Sequence, residues 1–333
     1  MPARVETRTF DAFLTTTFAE YEKKLQDQIF DDVPLLSYMN GKLGRAIRGT
    51  GTIKITLGGG ERITVPLLYG TNTTAGSYAG GEQLSTNIQD GITNGFFDWS
   101  QYSVSIAITG LQKRGNMGTY RILNLLQSKT IQAELSIQER LNQNLWAAAS
   151  ATTGNAGKDV ISIPSLVDDT VTIGGINPST NTWWASTVNT VGGDFLTNDV
   201  GLIQMRNTFN TVTIGNKSPD IGFMPQNLYE DYEQYGQDDR RHVSNKLLDL
   251  GFRTLEFKGI PLVYDRDMPV GEIYFLNGLY IHWYVHRDAD LNMTPQGFQT
   301  PIGQDTSVAM ILLQAQATIS NRRRVGKNTG ITT

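Results

Sequence analysis

Residues 117–150, "MGTYRILNLLQSKTIQAELSIQERLNQNLWAAAS", contain no proline and no glycine after Gly118. Ile122, Leu125, Leu126, Ile131, Leu135, Leu141 and Leu145 recur at helical spacing. At about 1.5 Å per residue such a helix is roughly 50 Å long. That is longer than an ordinary domain helix. The pattern leaves two folds open. The helix spans a flat or elongated molecule, or it is a plain long core helix.

The segments around it differ in character. Phe10, Phe13, Leu14, Phe18, Tyr21, Leu25 and Ile29 form one apolar stripe, which predicts an amphipathic helix that Pro34 ends or kinks. "GTGTIKITLGGGERITVPLLYG" predicts two strands joined in a hairpin at Gly58-Gly59-Gly60. Residues 71–95 are small and nearly uncharged, and "FFDWSQYSVSIAIT" predicts a returning strand. The whole stretch reads as a long two-stranded excursion with a flexible tip. Such a ribbon is marginal alone and invites pairing with another chain.

The rest is mixed. "KDVISIPSLV" suggests strand or loop. "DFLTNDVGLIQMRNTFNTV" predicts a helix capped by Asn198 or Asp199. "PDIGFMP" predicts a short buried strand, and "QNLYEDYEQYGQ" a helix lined by Tyr229, Tyr232 and Tyr235. A run of strands follows, punctuated at Gly259-Ile260-Pro261, Met268-Pro269-Val270-Gly271 and Asn277-Gly278. "SVAMILLQAQATISNRRR" closes the chain as a strand. There is no internal repeat.

Composition narrows the function classes. The 333 residues suit two domains or one elaborated domain. Charged residues are only 18% of the chain and its net charge is −4, while glycines number 34. A charge-coated monomeric enzyme does not look like this; the long charge-free stretches read as surfaces that become covered. With no cysteine, disulfides, thiolate catalysis and cysteine metal sites are excluded. "MPARVETRTFDAF" is not a signal peptide, and no run approaches the length of a membrane span. The expectation is a protein made in the cytoplasm and soluble until it assembles.

Candidate chemistry is sparse. His282, Tyr284 and His286 would line one face of a strand, with no glutamate in a zinc-protease arrangement. Asp31-Asp32, Asp168-Asp169, Asp238-Asp239 and Asp265/Asp267 are sequence neighbours. Adjacency does not place carboxylates across a cleft. Asp265-Arg266-Asp267 reads as an ion-paired turn. No phosphate loop and no nucleophile elbow is present. Neither a catalytic, a metal nor a cofactor site is expected. Arg322, Arg323 and Arg324, with Lys327, are the one basic cluster. They would contact nucleic-acid phosphates, or form a solvated tail or inter-subunit salt bridges. "GGINPSTNTWW" places Trp183 and Trp184 side by side after a polar loop. They form either a stacking platform for a sugar or base, or an anchor packing the loop onto its own domain or a neighbour.

Taken in order, "GGINPSTNTWW", "MPQNLYEDYEQYG" and above all "FKGIPLVYDRDMPVGEIYFLN" resemble the major capsid proteins of tailed double-stranded DNA bacteriophages. These have the Hong Kong 97-like fold. The resemblance covers nearly the full chain and implies an α+β fold in named parts. An N-terminal arm would take residues 1–48, an extended loop with its flanking strands 49–112, and a spine helix of the peripheral domain 113–154. A mixed α/β axial domain would take 155–305, and the closing peripheral strand and C-terminal tail 306–333. It also implies a non-enzymatic protein assembling through hexamers and pentamers into an icosahedral head. The head would meet a portal, scaffold or decoration proteins, and the packaged DNA by non-specific contact. It would form in the host cytoplasm and reside in the virion.

In that setting Phe10, Phe18, Tyr69, Tyr78, Trp183 and Trp184 are candidates for inter-subunit contact, and Arg322, Arg323 and Arg324 for facing DNA. Two departures stand out. No long scaffolding extension is visible ahead of the arm, so the expectation is that scaffolding is a separate protein or unnecessary. The loop between Gly58 and Gly95 holds no lysine, so an isopeptide cross-link from its tip is not supported. Two other readings remain: an encapsulin-like nanocompartment shell, and a β-rich carbohydrate-binding protein using the Trp pair.

Overall fold

A computed structural model describes residues 33–40, 53–115, 125–150, 152–237, 255–294 and 297–332. The predicted aromatic helix, with Phe10 and Phe18, lies outside them. Two compact units divide the chain. One is built on Tyr102–Glu139 and Leu291–Leu313, the other on Val33–Gln101, Arg140–Asp290 and Gln314–Thr333.

In chain order, α1 (Pro34–Met39) comes first. Pro34 starts this helix, at a position whose N–H would be unpaired anyway. β1 (Lys54–Leu57), β2 (Arg62–Leu68), β3 (Ile92–Asp98) and β4 (Ser100–Thr109) follow. Next are α2 (Gly110–Gly115) and α3 (Leu125–Leu145). α3 is the long helix of the sequence pattern, about 32 Å over its described length. It ends at Leu145, although Ala147, Ala148 and Ala149 are strong helix formers. Tertiary packing overrides that propensity. Trp146 is buried with its ring 5.7 Å from Phe223 and 5.4 Å from Tyr274.

"KDVISIPSLV" holds not a strand but a single helical turn, α4 (Ile163–Leu166), capped by the Ser162 hydroxyl. β5 (Thr187–Asp194), α5 (Val200–Val212), β6 (Ile221–Met224) and α6 (Gln226–Gln237) come next. Asp199 occupies the cap position of α5 but makes no capping bond. The Asp194 carboxylate instead accepts from the N–H groups of Leu196 and Thr197. Then come β7 (Leu255–Phe257), β8 (Ile260–Tyr264), β9 (Ile273–Leu276), β10 (Ile281–Met293), β11 (Thr306–Ile319) and β12 (Gly326–Thr332).

The larger unit centres on a six-stranded sheet of order β5-β12-β9-β6-β8-β7. β12 pairs parallel with β5 and antiparallel with β9. The last described residues are therefore an interior strand, not the expected tail. β6 and β9 are buried along their whole length. Such strands read as continuous apolar runs because both faces are covered. α5 and α6 cover one face, where Met205, Phe209 and Leu228 meet Met224, Leu262 and Phe275. On the other face, Tyr38 and Trp146 meet Phe223 edge-on. Tyr38 donates to Asp220 Oδ1 at 2.8 Å, and Gly278 N–H donates to the same carboxylate. A Cβ at Gly278 would lie 2.8 Å from the Tyr38 hydroxyl and from Ile53 Cδ1, so the backbone approach requires glycine.

A second sheet has the order β1-β10-β11-β4. β1 pairs in parallel with β10, in register Lys54↔Trp283 to Leu57↔His286. The predicted hairpin at Gly58–Gly60 is therefore overturned: β1 and β2 enter different sheets. Gly59 and Gly60, at φ 155° and 120°, turn the chain between them. On β10, Ile281, Trp283 and Val285 are buried and His282, Tyr284 and His286 half-buried, as strand alternation predicts. In the smaller unit, Ile106, Ala133 and Ile311 form a core lined by Val104, Leu291 and Phe298. There α2 is tied down by Gly110 N–H to Asp305 O at 2.7 Å and an Arg114–Asp305 ion pair at 2.7 Å.

Candidate functional site

β2 and β3 form a regular antiparallel ribbon, Arg62↔Asp98 to Leu68↔Ile92, and residues 69–91 between them have no regular structure. One face is buried: Ile63, Val65 and Leu67 on β2 with Phe97 on β3. The other face presents apolar residues to solvent. Leu68 and Ile92 pair across the ribbon at 79% and 70% exposure, and Ile88 is 99% exposed. Tyr78, Leu84 and Phe96 are exposed as well. From Ile63 to Phe97 the only charged residues are Glu82 and Asp90. A sparsely charged projection with several large apolar side chains exposed is a candidate interaction surface.

The sequence pointed to Tyr69 and Tyr78 here but missed Leu68, Leu84, Ile88, Ile92 and Phe96. The available signal was strand phase: Leu68 follows the inward Leu67 and so must point out.

The root of the ribbon is held by the Gly174–Trp184 loop. Phe96 N–H donates to Gly174 O at 3.0 Å. Gly174 has φ 65°, and a Cβ there would press on Gly95 and Phe97. Trp183 stacks on Tyr69, with centroids 5.0 Å apart and planes 19° apart. Trp184 is 1% exposed and donates its indole N–H to Ile173 O at 3.0 Å. The three-residue helical turn Thr182–Trp184 directs the two rings differently. The tryptophans are therefore an intramolecular anchor. Trp184 is too deeply buried to touch a neighbour or to act as a sugar platform; Trp183, half-buried against Tyr69, keeps part of its surface open.

The basic cluster divides in the same way. Arg322 is 0% exposed. Its guanidinium donates to Leu166 O at 3.0 Å, Val171 O at 3.0 Å, Ser165 O at 3.2 Å and also Asp168 O. It thus collects carbonyls at the end of α4 and lies 5.8 Å over the Trp184 ring. Burial lowers its pKa to about 10, against the opposing pull of Asp168 and Asp169. Arg322 cannot face DNA. Arg324 donates to Ile214 O and sits over Tyr280. Arg323 is exposed.

Lys327 is also buried, 2.9 Å from Asp168. Burial raises the Asp168 pKa, but the Lys327 ammonium and Thr170 outweigh it and hold the carboxyl at about 2.

The remaining polar candidates do not converge. Asp265 and Asp267 share the Asn142 amide, at 3.0 and 2.7 Å. Burial lowers the His282 pKa. His286 meets Trp99 edge-on and accepts from Asp288 N–H. Among the described residues no group of three or more His, Asp or Glu side chains could hold a metal. No described helix is long and apolar enough to cross a membrane.

No family model matches the sequence, and no curated protein matches it. Solved structures do match the fold. The cyanophage A-1(L) capsid asymmetric unit superposes with a TM-score of 0.67 at 15% identity, covering 95% of this chain and 97% of that one. The capsid of the native GTA particle gives 0.61 at 10% identity, covering 98% and 100%. The SrpI encapsulin of Synechococcus elongatus gives 0.56 at 8% identity, covering 92% and 96%. Over nearly its whole length, this chain has the α+β fold of phage capsid and encapsulin proteins.

Proposed function

We propose that the chain is a major capsid protein of a tailed bacteriophage. Copies assemble through hexamers and pentamers into an icosahedral head around double-stranded DNA. The observation that carries this is the end-to-end likeness to a phage capsid chain, 95% of this chain on 97% of the other. The sparsely charged ribbon with its exposed apolar side chains supports it, as a surface suited to being covered.

In this reading β1–β4 belong to the extended loop and α3 is the spine helix. The six-stranded sheet is the axial domain, and residues 1–48 are the arm. The protein is structural, not enzymatic. One patch meets a different patch on the next copy, a heterologous contact that closes rings. Many weak contacts add through multivalency. Portal, scaffold and decoration proteins are the further partners; assembly is in the host cytoplasm and the final location is the virion. Of the basic cluster, Arg323 remains the candidate for DNA.

A second reading is a nanocompartment shell, favoured by the encapsulin likeness. Electron microscopy and light scattering of the purified chain test both. Closed shells or rings of subunits support shell formation; a monomer that stays single at high concentration, with or without co-expressed phage head proteins, refutes it. Nuclease-protected DNA inside native particles selects the capsid, and an enclosed enzyme selects the nanocompartment.

A further inference from the structure

Three segments meet at the C-terminal end of α5. The first is α5 itself with the turn after it, where Ile214 and Lys217 exchange backbone hydrogen bonds. The second is the Lys258-Gly259 turn between β7 and β8. From it Lys258 Nζ donates to Asn210 Oδ1 at 2.6 Å and lies 5.2 Å over the Phe209 ring. The third is the short turn before β12, from which Arg324 donates to Ile214 O. Arg206 stands four residues before Asn210, on the same helix face. Arg323, on the same turn as Arg324, is exposed, as are Arg206, Lys217 and Lys258.

No carboxylate answers these cations. Residues 200–217 and 306–333 contain no Asp and no Glu. Asp220 is buried and accepts from Tyr38 and from Gly278 N–H. Glu256 alternates with Phe257 along β7, and Phe257 packs on Phe209 of α5, so Glu256 points to the other face of the sheet. Among the described residues none of Arg206, Lys217, Lys258, Arg323 and Arg324 forms an ion pair, and Arg324 Nε has no acceptor. The end of α5 explains part of the cluster, because its terminal carbonyls favour Lys258 and Arg324. That field fades within one turn and does not reach Arg206, six residues before the end.

We propose that this cationic patch binds the phosphate backbone of duplex DNA without reading its sequence. The proposal rests on the capsid reading above and names the surface that would meet the packaged genome. Between the cations stand the exposed side chains of Asn207, Thr211 and Asn216, residue types that donate to phosphate oxygens. No ring is free for base stacking: Phe209 is buried and Tyr280 lies under Arg324. The patch therefore suits a backbone contact rather than a single-strand platform.

Fluorescence anisotropy of two labelled duplexes of unrelated sequence, titrated with the purified chain from about 50 to about 200 mM salt, tests it. The wild type should bind both alike and lose roughly 100-fold in affinity over this range, as about four phosphate contacts require. The triple variant R206Q/K217Q/R323Q should keep the wild-type urea midpoint and lower the log–log salt slope by about 3, one for each cation removed. K113Q, in the smaller unit, should change neither. If the triple variant does not fold, K217Q alone should lower the slope by about 1. An unchanged slope in the variants overturns the proposal, as does a wild type that binds no duplex at about 50 mM salt. Displacement by poly-glutamate as effective as by unlabelled duplex also overturns it, and makes the patch a site for an acidic protein. Electron microscopy of the same samples separates the two readings: shells whose DNA binding ignores the substitutions refute the patch alone, and absence of shells refutes the capsid reading.

Discussion

Replacing Arg322 with methionine isolates the buried cation. The thioether keeps the apolar stem against Trp184 but removes every donor. Four carbonyls then lose the guanidinium; Leu166 O and Asp168 O keep the Ser186 hydroxyl and N–H, whereas Ser165 O and Val171 O are left without that donor. An orphaned buried acceptor costs about 1–3 kcal/mol. Taking the low end for each of these two, because water can reach Val171 O, gives about 2 kcal/mol. Losses this large come from few mechanisms, and surface substitutions stay within about 0.5 kcal/mol. Urea unfolding followed by tryptophan fluorescence is the assay, since the guanidinium lies 5.8 Å from the Trp184 ring. Arg323→Met is the exposed control and should leave the midpoint unchanged. Arg322→Lys should recover part of the loss, because an ammonium cannot reproduce the planar fork. A loss under about 1 kcal/mol for R322M would refute the argument. So would normal stability combined with loss of packaged nucleic acid, since that is the behaviour of a surface phosphate contact.

Trp184→Ala should cost about 3–5 kcal/mol, whereas Trp183→Ala should cost about 1 kcal/mol and expose the Tyr69 ring; thermal unfolding of the two variants gives the ratio. Asp168 has a depressed pKa of about 2, so its stabilisation is present above the unfolded carboxylate value and is lost as pH falls through about 2. Lys327→Met should weaken the protein near neutral pH and move acid unfolding to higher pH, as followed by circular dichroism. Gly278→Ala should cost about 1–3 kcal/mol through overpacking on Tyr38 and Ile53, read from the urea midpoint. The pair Leu68→Ser and Ile92→Ser should leave the urea midpoint within about 0.5 kcal/mol yet abolish particles in electron micrographs; unaltered particles would remove the ribbon from the assembly surface.

The parts of this fold legible in sequence are those set by local periodicity. "IGFM" and "IYFL" are continuous apolar runs because helices and aromatic rings cover both faces of their sheet. The alternation in "YIHWYVH" gave the two faces of β10. What stayed hidden depends on distant partners. β1 pairs with residues more than two hundred positions away, so Gly58–Gly60 looked like a hairpin turn between neighbours. α3 stops where Trp146 enters the sheet face, which no helix propensity encodes. Nothing local separates Arg322 from Arg323; only the carbonyls after α4 do. The sequence leaves the Trp pair as an anchor or a platform, and its neighbours are not foreseeable from it. Phe96 and Tyr69 meet the loop only after the ribbon folds back.

The near-absence of charge on the β2–β3 ribbon has a kinetic and thermal consequence. A surface carrying only Glu82 and Asp90 over 35 residues neither steers a partner toward it nor is screened by salt. Encounters through it proceed at the slow, unsteered rate of roughly 10⁵–10⁶ M⁻¹s⁻¹, nearly independent of ionic strength. Burial of Leu68, Ile88 and Ile92 is driven by water release, which weakens on cooling. Association through the ribbon is therefore indifferent to salt and sensitive to cold, so temperature, not ionic strength, is the lever that would take such contacts apart.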